Sequence, residues 1–463
     1  MSAASKGRWK GARVAVIGLA RSGVAACLLL RKRGADVVGT DLRTADLLGT
    51  APRDLAKASV ELSLGEYPDL TRFDTLVLSP GVDPWQDAIK RGRDQGVTIL
   101  PELELGAREV KGRIVCITGT KGKSTTTMSL HSMLREAGLD ARAVGNIGTP
   151  ICAQVDDSDR GSIFITEASS FQLETTREFR PDYAVFLNLF PDHLDRHPTF
   201  AAYAAAKARI FANQTESDTA IVNGDDEGVL GLAQTARATV VPFWPKRPVP
   251  KGEGVAAYLK AGAAFFQEDD RAPVELFRSS DVHIPGAAVR ANFLAAATAA
   301  HRLGVRSDAI QSAVRSFRGV PHTFERLGEV DGVAFFNDSK ATTPESVKVA
   351  LESFETPVIA IMGGRLKAGS FKSLAAVAAS RVKAIYAIGE SRDLIVAALS
   401  PSCPVTAVDT LEEAVTRAYG SAVRGDVILL SPGCSSFDMF RDYAERGDAF
   451  RRAFRDLSLR GAA

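Results

Sequence analysis

Short apolar runs alternate with helical stretches along almost the whole chain. Val14–Ile17, Thr75–Leu78, Ile114–Ile117, Ile163–Ile165, Ala184–Leu187 and Ala220–Val222 recur in the first half, and Val358–Ile361, Ala384–Ile388 and Val427–Leu430 in the last third. Continuous apolar runs bounded by Gly, Asp or Pro suit strands covered on both faces. With helices between them they predict an α/β protein built on doubly wound parallel sheets. The pattern breaks near Pro101–Gly106 and again near Gly319–Pro321, which predicts domains over 1–105, 106–319 and 320–463. Val240–Pro285 reads differently: Pro242, Pro245, Pro248 and Pro250 precede short pieces such as Ala256–Leu259. This segment predicts small antiparallel strands appended to the middle domain.

Composition narrows the class. The 463 residues are 45% hydrophobic and 24% charged, an ordinary globular balance with room for about three domains. The 57 basic and 55 acidic residues leave a net charge of +2, with no block of like charge. Nucleic acid and anionic membrane are therefore poor partners. Five scattered cysteines without a CxxC pair point away from zinc or disulfides and towards a reducing cytoplasm. The apolar stretch Val14–Leu30 is broken by Gly18, Arg21 and Gly23, so it reads as strand, turn and helix rather than as an export signal. No run reaches the ~18 apolar residues a membrane span needs.

The strongest chemical signal is Thr118-Gly119-Thr120-Lys121-Gly122-Lys123-Ser124-Thr125, between a predicted strand and a helix running to about Ala137. Its glycines let backbone N–H groups curl around phosphate oxygens at a helix N-terminus. Lys123 would neutralise β/γ-phosphate charge and the Ser124 hydroxyl would ligate Mg. Ile117 stands where the full Walker spacing wants glycine, so the loop predicts ATP or GTP without fixing the reaction. A second strand ends at Glu167, where a further Mg ligand belongs. A third is followed by Asn188-Leu189-Phe190-Pro191-Asp192-His193-Leu194-Asp195. His193 alone reads more readily as part of a surface turn, but three strand ends meeting at one nucleotide favour a ligand. Lys207 lies on an alanine-rich helix, Phe200–Phe211, a pattern that ordinarily marks a solvated face. Desolvated, its amine would become neutral and reactive. In the first domain Gly18, Ala20 and Gly23 follow a strand, and Asp41 ends the next. Ala20 replaces the glycine that lets a dinucleotide pyrophosphate approach, which favours a nucleotide such as UDP over nicotinamide.

Taken in order, these segments resemble the Mur ligase family over nearly the full length. The motifs are Gly18-Leu19-Ala20-Arg21-Ser22-Gly23, Leu78–Val82, Thr118–Thr125, Gly145–Pro150 and Ser169–Glu174, then Asn337–Thr342, Leu430–Ser436 and Glu445-Arg446-Gly447. The resemblance implies a Rossmann-like UDP-substrate domain, a P-loop ATP domain with a small antiparallel sheet, and a Rossmann-like amino-acid domain. It implies ATP-dependent addition of D-glutamate to UDP-N-acetylmuramoyl-L-alanine through an acyl phosphate, by a cytoplasmic monomer making peptidoglycan precursors. It assigns Gly119, Thr120, Lys121, Gly122, Lys123, Ser124, Thr125, Asn292 and Asp338 to ATP. Ser124, Glu167, His193 and a carbamylated Lys207 fall to Mg, with Lys123, Glu167, His193 and Lys207 as the catalytic set. Gly18, Ser22, Asp41, Arg43, Ser79 and Asn146 fall to the UDP substrate. Thr342, Lys367, Ser436, Phe437 and Tyr443 fall to the incoming amino acid. The chain departs from the family at Ala288, Val289 and Thr323, where nucleotide contacts are usual, and in the turn Gly363–Gly369. A sister ligase with another acceptor, such as L-glutamate, and a nucleotide-binding relative with weakened catalysis remain open on these residues.

Overall fold

The computed structural model describes residues 8–193, 196–367 and 369–461. Leu194 and Asp195 of the segment after the third strand, and Ala368 of the glycine-rich turn, lie outside the described residues. The chain packs as two compact units, one up to Ser279 with Ala291–Val314, the other Ser280–Arg290 with Arg315–Ala463.

The first unit holds two sheets. One is all parallel, with β1 (Arg13–Ile17), β2 (Asp36–Asp41), β3 (Glu61–Leu64), β4 (Thr75–Leu78) and β5 (Thr98–Pro101) in the order β3-β2-β1-β4-β5. Its order reverses between β1 and β4, and a crevice at such a switch point is where ligands bind in open α/β sheets. The second sheet has nine strands. They are β6 (Arg113–Thr118), β7 (Ala141–Gly145), β8 (Ile163–Glu167), β9 (Tyr183–Phe186), β10 (Thr219–Asn223), β11 (Thr239–Trp244), β12 (Val255–Lys260), β13 (Ala263–Glu268) and β14 (Val274–Arg278). Their order is β14-β13-β12-β11-β10-β9-β6-β8-β7. One apolar cluster runs from Trp9, Val14 and Leu30 through Leu103 and Leu105 to Ile151 and Phe164, so both sheets share a core.

The proline-rich segment carries the antiparallel strands that the sequence predicts, as an extension of the central sheet and not a separate one. β11 lies parallel to β10, and β12–β14 continue the same nine-stranded sheet, with antiparallel pairing only from β12 onward. Pro242 sits within β11, yet β12 pairs only with Phe243 and Trp244. At Pro242 the strand is locally an edge, where a residue without an N–H is tolerated.

The second unit carries β15 (Glu325–Val330), β16 (Val333–Asn337), β17 (Val358–Gly363), β18 (Val382–Ile388), β19 (Val405–Ala407) and β20 (Val427–Leu430) in the order β15-β16-β20-β17-β18-β19. All neighbours are parallel except the hairpin β15–β16, an edge that the alternating pattern did not reveal. β17 and β20 are buried at every position, because helices cover both faces.

Candidate active site

β6 feeds the phosphate loop, and the helix Lys123–Glu136 follows it. Gly122 precedes the helix at φ +89°, and no side chain caps the helix start. The N–H groups of the first turn are thus left for an anion. Gly122 also has a packing reason to be glycine: a Cβ there would run into the side-chain amide of Asn292, which places Asn292 against the loop. A Cβ on Gly119, at φ +151°, would press on Leu187 and Asn188. Thr125 lies half-buried in the helix's first turn.

Glu167, the last residue of β8, is 2% exposed, and its two oxygens serve two neighbours. The Ser124 hydroxyl donates to Oε2 at 2.8 Å and the Asn146 amide donates to Oε1 at 2.8 Å. The Asn146 N–H also donates to the Glu167 carbonyl oxygen at 2.9 Å. One carboxylate therefore joins the phosphate loop to the Gly145–Pro150 loop. Asn146 in turn lines a cleft of ≈ 260 Å³ with Ser22, Ser79, Arg21 and Gly81. Gly18 stands beside that cleft, its carbonyl accepting the Ser79 hydroxyl at 2.6 Å across the β1–β4 switch point. Asp41 and Arg43 do not line it. Asp41 accepts the Leu19 N–H at 2.8 Å and pairs with the Arg43 guanidinium at 2.7 Å. The donors of Arg43 and Leu19 outweigh burial and hold this carboxyl down to about 2.

Lys207 overturns the pattern-based expectation of a solvated helix face, being 1% exposed. The helix Phe200–Ala208 starts at a Thr199 cap, tightens into a 3₁₀ turn over Arg209–Phe211, and buries Lys207 with Tyr203 and Ala206. Its amine donates to the Gly119 carbonyl oxygen at 2.8 Å and lies 4.8 Å from the Tyr203 ring centre. Burial, reinforced by repulsion from Lys123, pulls the amine down to about 7. Lys123 donates to the carbonyl oxygens of Gly119 and Thr120, each at 3.0 Å.

His193 is exposed, has φ +54°, and sets its ring 5.0 Å from Phe171 and 6.4 Å from Tyr203. No hydrogen bond joins it to Ser124 or Glu167 among the described residues. The motif Ser169–Leu173 builds the platform under this segment. Ser169 and Gln172 cap the helix Ser170–Leu173 reciprocally, Ser170 bonds His197 at 2.9 Å, and Arg196 lies over Phe171. Arg196 also bonds Glu174 at 2.6 Å and Asp83 at 2.7 Å. Sequence reasoning passed over Tyr203, Arg196 and His197, whose roles rest on tertiary contacts.

Among the described residues no three His, Cys, Asp or Glu side chains gather as a metal site. The Ser124 hydroxyl and Glu167 carboxylate nevertheless fit Mg. This hard cation takes one or two protein oxygens and completes its shell with phosphate and water, and both oxygens sit at the mouth of a phosphate loop.

In the second unit, Asp338 follows β16 and accepts the Phe324 N–H at 3.1 Å and the Ser431 hydroxyl at 3.2 Å. Burial pushes its carboxyl up to about 7. Gly363 and Gly364, at φ +129° and +126°, open a turn in which Arg365 and Ser435 exchange backbone hydrogen bonds of 2.9 and 3.0 Å. That pairing brings together the segments carrying Lys367 and Ser436–Phe437, and the Lys367 amine lies 5.3 Å from the Phe437 ring centre. The unusual glycine turn thus has a structural reason. Arg446, 1% exposed, bonds the carbonyl oxygens of Ser339, Cys434 and Gly363 at 2.8, 3.0 and 3.3 Å. It holds the loops after β16, β17 and β20 together, and Tyr443 joins them through its carbonyl, bonded by the Ser339 hydroxyl at 2.7 Å. Thr342 is half-buried in the first of these loops.

Comparison with known proteins agrees with this layout. Residues 12–101 match the model for the Mur ligase MurD-like N-terminal domain, 117–300 the Mur ligase middle domain, and 323–434 the Mur ligase glutamate ligase domain. The chain is 42% identical to the UDP-N-acetylmuramoylalanine–D-glutamate ligase of Acidobacterium capsulatum, over 98% of each chain. It is 39% identical to the ligase of the same name from Myxococcus xanthus, over 96% of this chain and 98% of that one. Among solved structures, UDP-N-acetylmuramate-alanine ligase MurC of Thermotoga maritima is similar in fold, with a TM-score of 0.57 at 18% identity, covering 96% of this chain and 99% of its own. MurF ligase of the same organism, solved in complex with ADP, gives 0.57 at 17% identity, covering 92% and 95%. With all three segments matched in order and relatives this similar over nearly their full length, the chain belongs to the Mur ligase family.

Proposed function

We propose that the chain joins D-glutamate to UDP-N-acetylmuramoyl-L-alanine at the expense of ATP, with Mg, in the synthesis of peptidoglycan precursors. The observation that carries this reading is the sharing of Glu167 between Ser124 and Asn146, which sets the phosphate loop beside the cleft lined by Ser22 and Ser79. A substrate carboxylate presented from that cleft would meet the γ-phosphate at Glu167.

In this reading the loop amides and Lys123 hold the triphosphate and offset the charge that spreads over the transferring phosphoryl group. Ser124, Glu167 and His193 would hold Mg, which when bound supplies Lewis-acid neutralisation of the phosphate oxygens. The substrate carboxylate attacks the γ-phosphorus and ADP leaves. The glutamate amine then attacks the acyl phosphate carbonyl, and phosphate departs as the amide forms. Burial and Lys123 lower the pKa of the Lys207 amine, so it can release its ammonium proton, add to carbon dioxide and release a second proton, becoming a buried carbamate anion beside Lys123. Lys367, Thr342, Ser436, Phe437 and Tyr443 would hold the amino acid, whose carboxylate demands fixed positive charge and donors. Asp338 and Asn292 would complete the nucleotide contacts, and Gly18, Asp41, Arg43 and Ser79 those of the UDP group. The domain limits 1–105, 106–319 and 320–463, a cytoplasmic location and action as a monomer belong to the same reading.

The test is an omission series. Phosphate release should require ATP, Mg, UDP-N-acetylmuramoyl-L-alanine and D-glutamate together. Release with L-glutamate in place of D-glutamate would point to a sister ligase. ATP binding without release under any combination would leave a nucleotide-binding relative.

A further inference from the structure

Where β6 and β9 end, their pairing does not. The Leu187 N–H still donates to the Thr118 carbonyl at 3.0 Å, and the Thr120 N–H to the Asn188 carbonyl at 3.0 Å. One step further the backbone partner runs out, and the Asn188 side chain takes its place. Its Oδ1 accepts the Lys121 N–H at 2.9 Å while its Nδ2 donates to the Lys121 carbonyl at 3.0 Å. The contact continues outward. The Phe190 N–H donates to the Thr120 hydroxyl oxygen at 3.1 Å, and the Lys121 amine lies 3.2 Å from Asp192, the residue before His193.

A primary amide carries one donor and one acceptor side by side, as a peptide unit does, so it can satisfy both main-chain groups of one residue. That matters in a loop containing Gly119 and Gly122, whose backbone freedom must be restrained before the loop can meet an anion in a fixed shape. We propose that Asn188 is a positioning residue for the phosphate loop, fixing the Thr120–Lys121 backbone in its anion-binding shape and tying it to the segment that carries His193. The inference rests on the reading of this loop as the ATP site. The role assigned to Asn188 is exercised through the main chain of Lys121.

The experiment measures the dissociation constants of Mg-ADP and, separately, of UDP-N-acetylmuramoyl-L-alanine by calorimetry on the full-length protein. Asn188→Ala should weaken ADP about tenfold or more, since two hydrogen bonds to the loop backbone are lost, and leave the UDP substrate within about twofold of the parent. Should Asn188→Ala fail to fold, Asn188→Ser keeps a small uncharged polar side chain that is too short to bridge both main-chain groups of Lys121, and it too should weaken ADP selectively. Equal ADP affinity in the parent and the folded variant overturns the inference, as does equal weakening of both ligands, the mark of a general structural defect. Lys123→Ala serves as the reference. If it binds ADP like the parent, the ATP reading of the loop fails. If Lys123→Ala weakens ADP and Asn188→Ala does not, only the role of Asn188 falls.

Discussion

The amines of Lys123 and Lys207 share one acceptor, the carbonyl oxygen of Gly119, at 3.0 and 2.8 Å. Burial disfavours the charged form of Lys207 and repulsion from Lys123 adds to it, so its pKa falls from 10.5 to about 7. Between those values the unfolded chain binds more protons than the folded one, so this lysine makes stability rise with pH across that window. Lys207→Met removes the effect. Urea melts should show the variant gaining on the parent near the bottom of the window and losing that advantage towards the top. A constant difference would mean that folding does not change the protonation of the Lys207 amine across this window. The same variant should be nearly inactive, and in Lys207→Ala a short carboxylic acid should restore part of the turnover.

Glu167→Ala strips the Ser124 hydroxyl and the Asn146 amide of their common acceptor. The protein should fold, with turnover reduced roughly 10²–10³-fold, the scale of losing one charge-stabilising group. Steady-state kinetics over a Mg titration checks this. Near-normal turnover with unchanged Mg dependence would remove Glu167 from the site.

Lys367 stands over the Phe437 ring, and in the proposed function it supplies the fixed charge that holds the incoming amino acid. Loss of a charge-assisted hydrogen bond costs about 1.5–3 kcal/mol. Lys367→Ala should therefore raise the KM for glutamate by about tenfold or more while that for ATP moves little. Phe437→Leu should produce a smaller rise of the same kind. A change confined to ATP would assign the Gly363–Gly369 turn to the nucleotide instead.

The carboxyl of Asp338 is raised from 3.8 to about 7. Within that window the folded protein keeps a proton that the unfolded chain has released, so stability falls as pH rises through it. Asp338→Asn keeps polar atoms for Phe324 and Ser431 without the charge. Its stability should decline less steeply than the parent's over the same window in denaturant melts, and parallel curves would refute the buried neutral acid.

Much of the architecture was legible because burial on both faces writes itself as uninterrupted apolar runs. β4 and β20 begin and end where Thr75–Leu78 and Val427–Leu430 do. β11 was hidden by Pro242, tolerated only because β12 starts late. The phosphate loop and Glu167 were readable because each follows such a run directly. Lys207 was legible only through family resemblance, since its burial depends on where the helix Phe200–Ala208 docks. Arg446 and Asn188 stood in quoted motifs without a role. What they do is satisfy main-chain groups of loops far away in sequence, and no local pattern encodes that.

The central claim is that a substrate carboxylate is phosphorylated at this site before the amide forms. Heavy-oxygen label placed in the alanyl carboxylate of UDP-N-acetylmuramoyl-L-alanine tests it most directly, because the oxygen that attacks the γ-phosphorus leaves with phosphate. Mass analysis after turnover with ATP, Mg and D-glutamate should find one labelled oxygen in each phosphate released and none in ADP. Unlabelled phosphate alongside amide product would contradict the account.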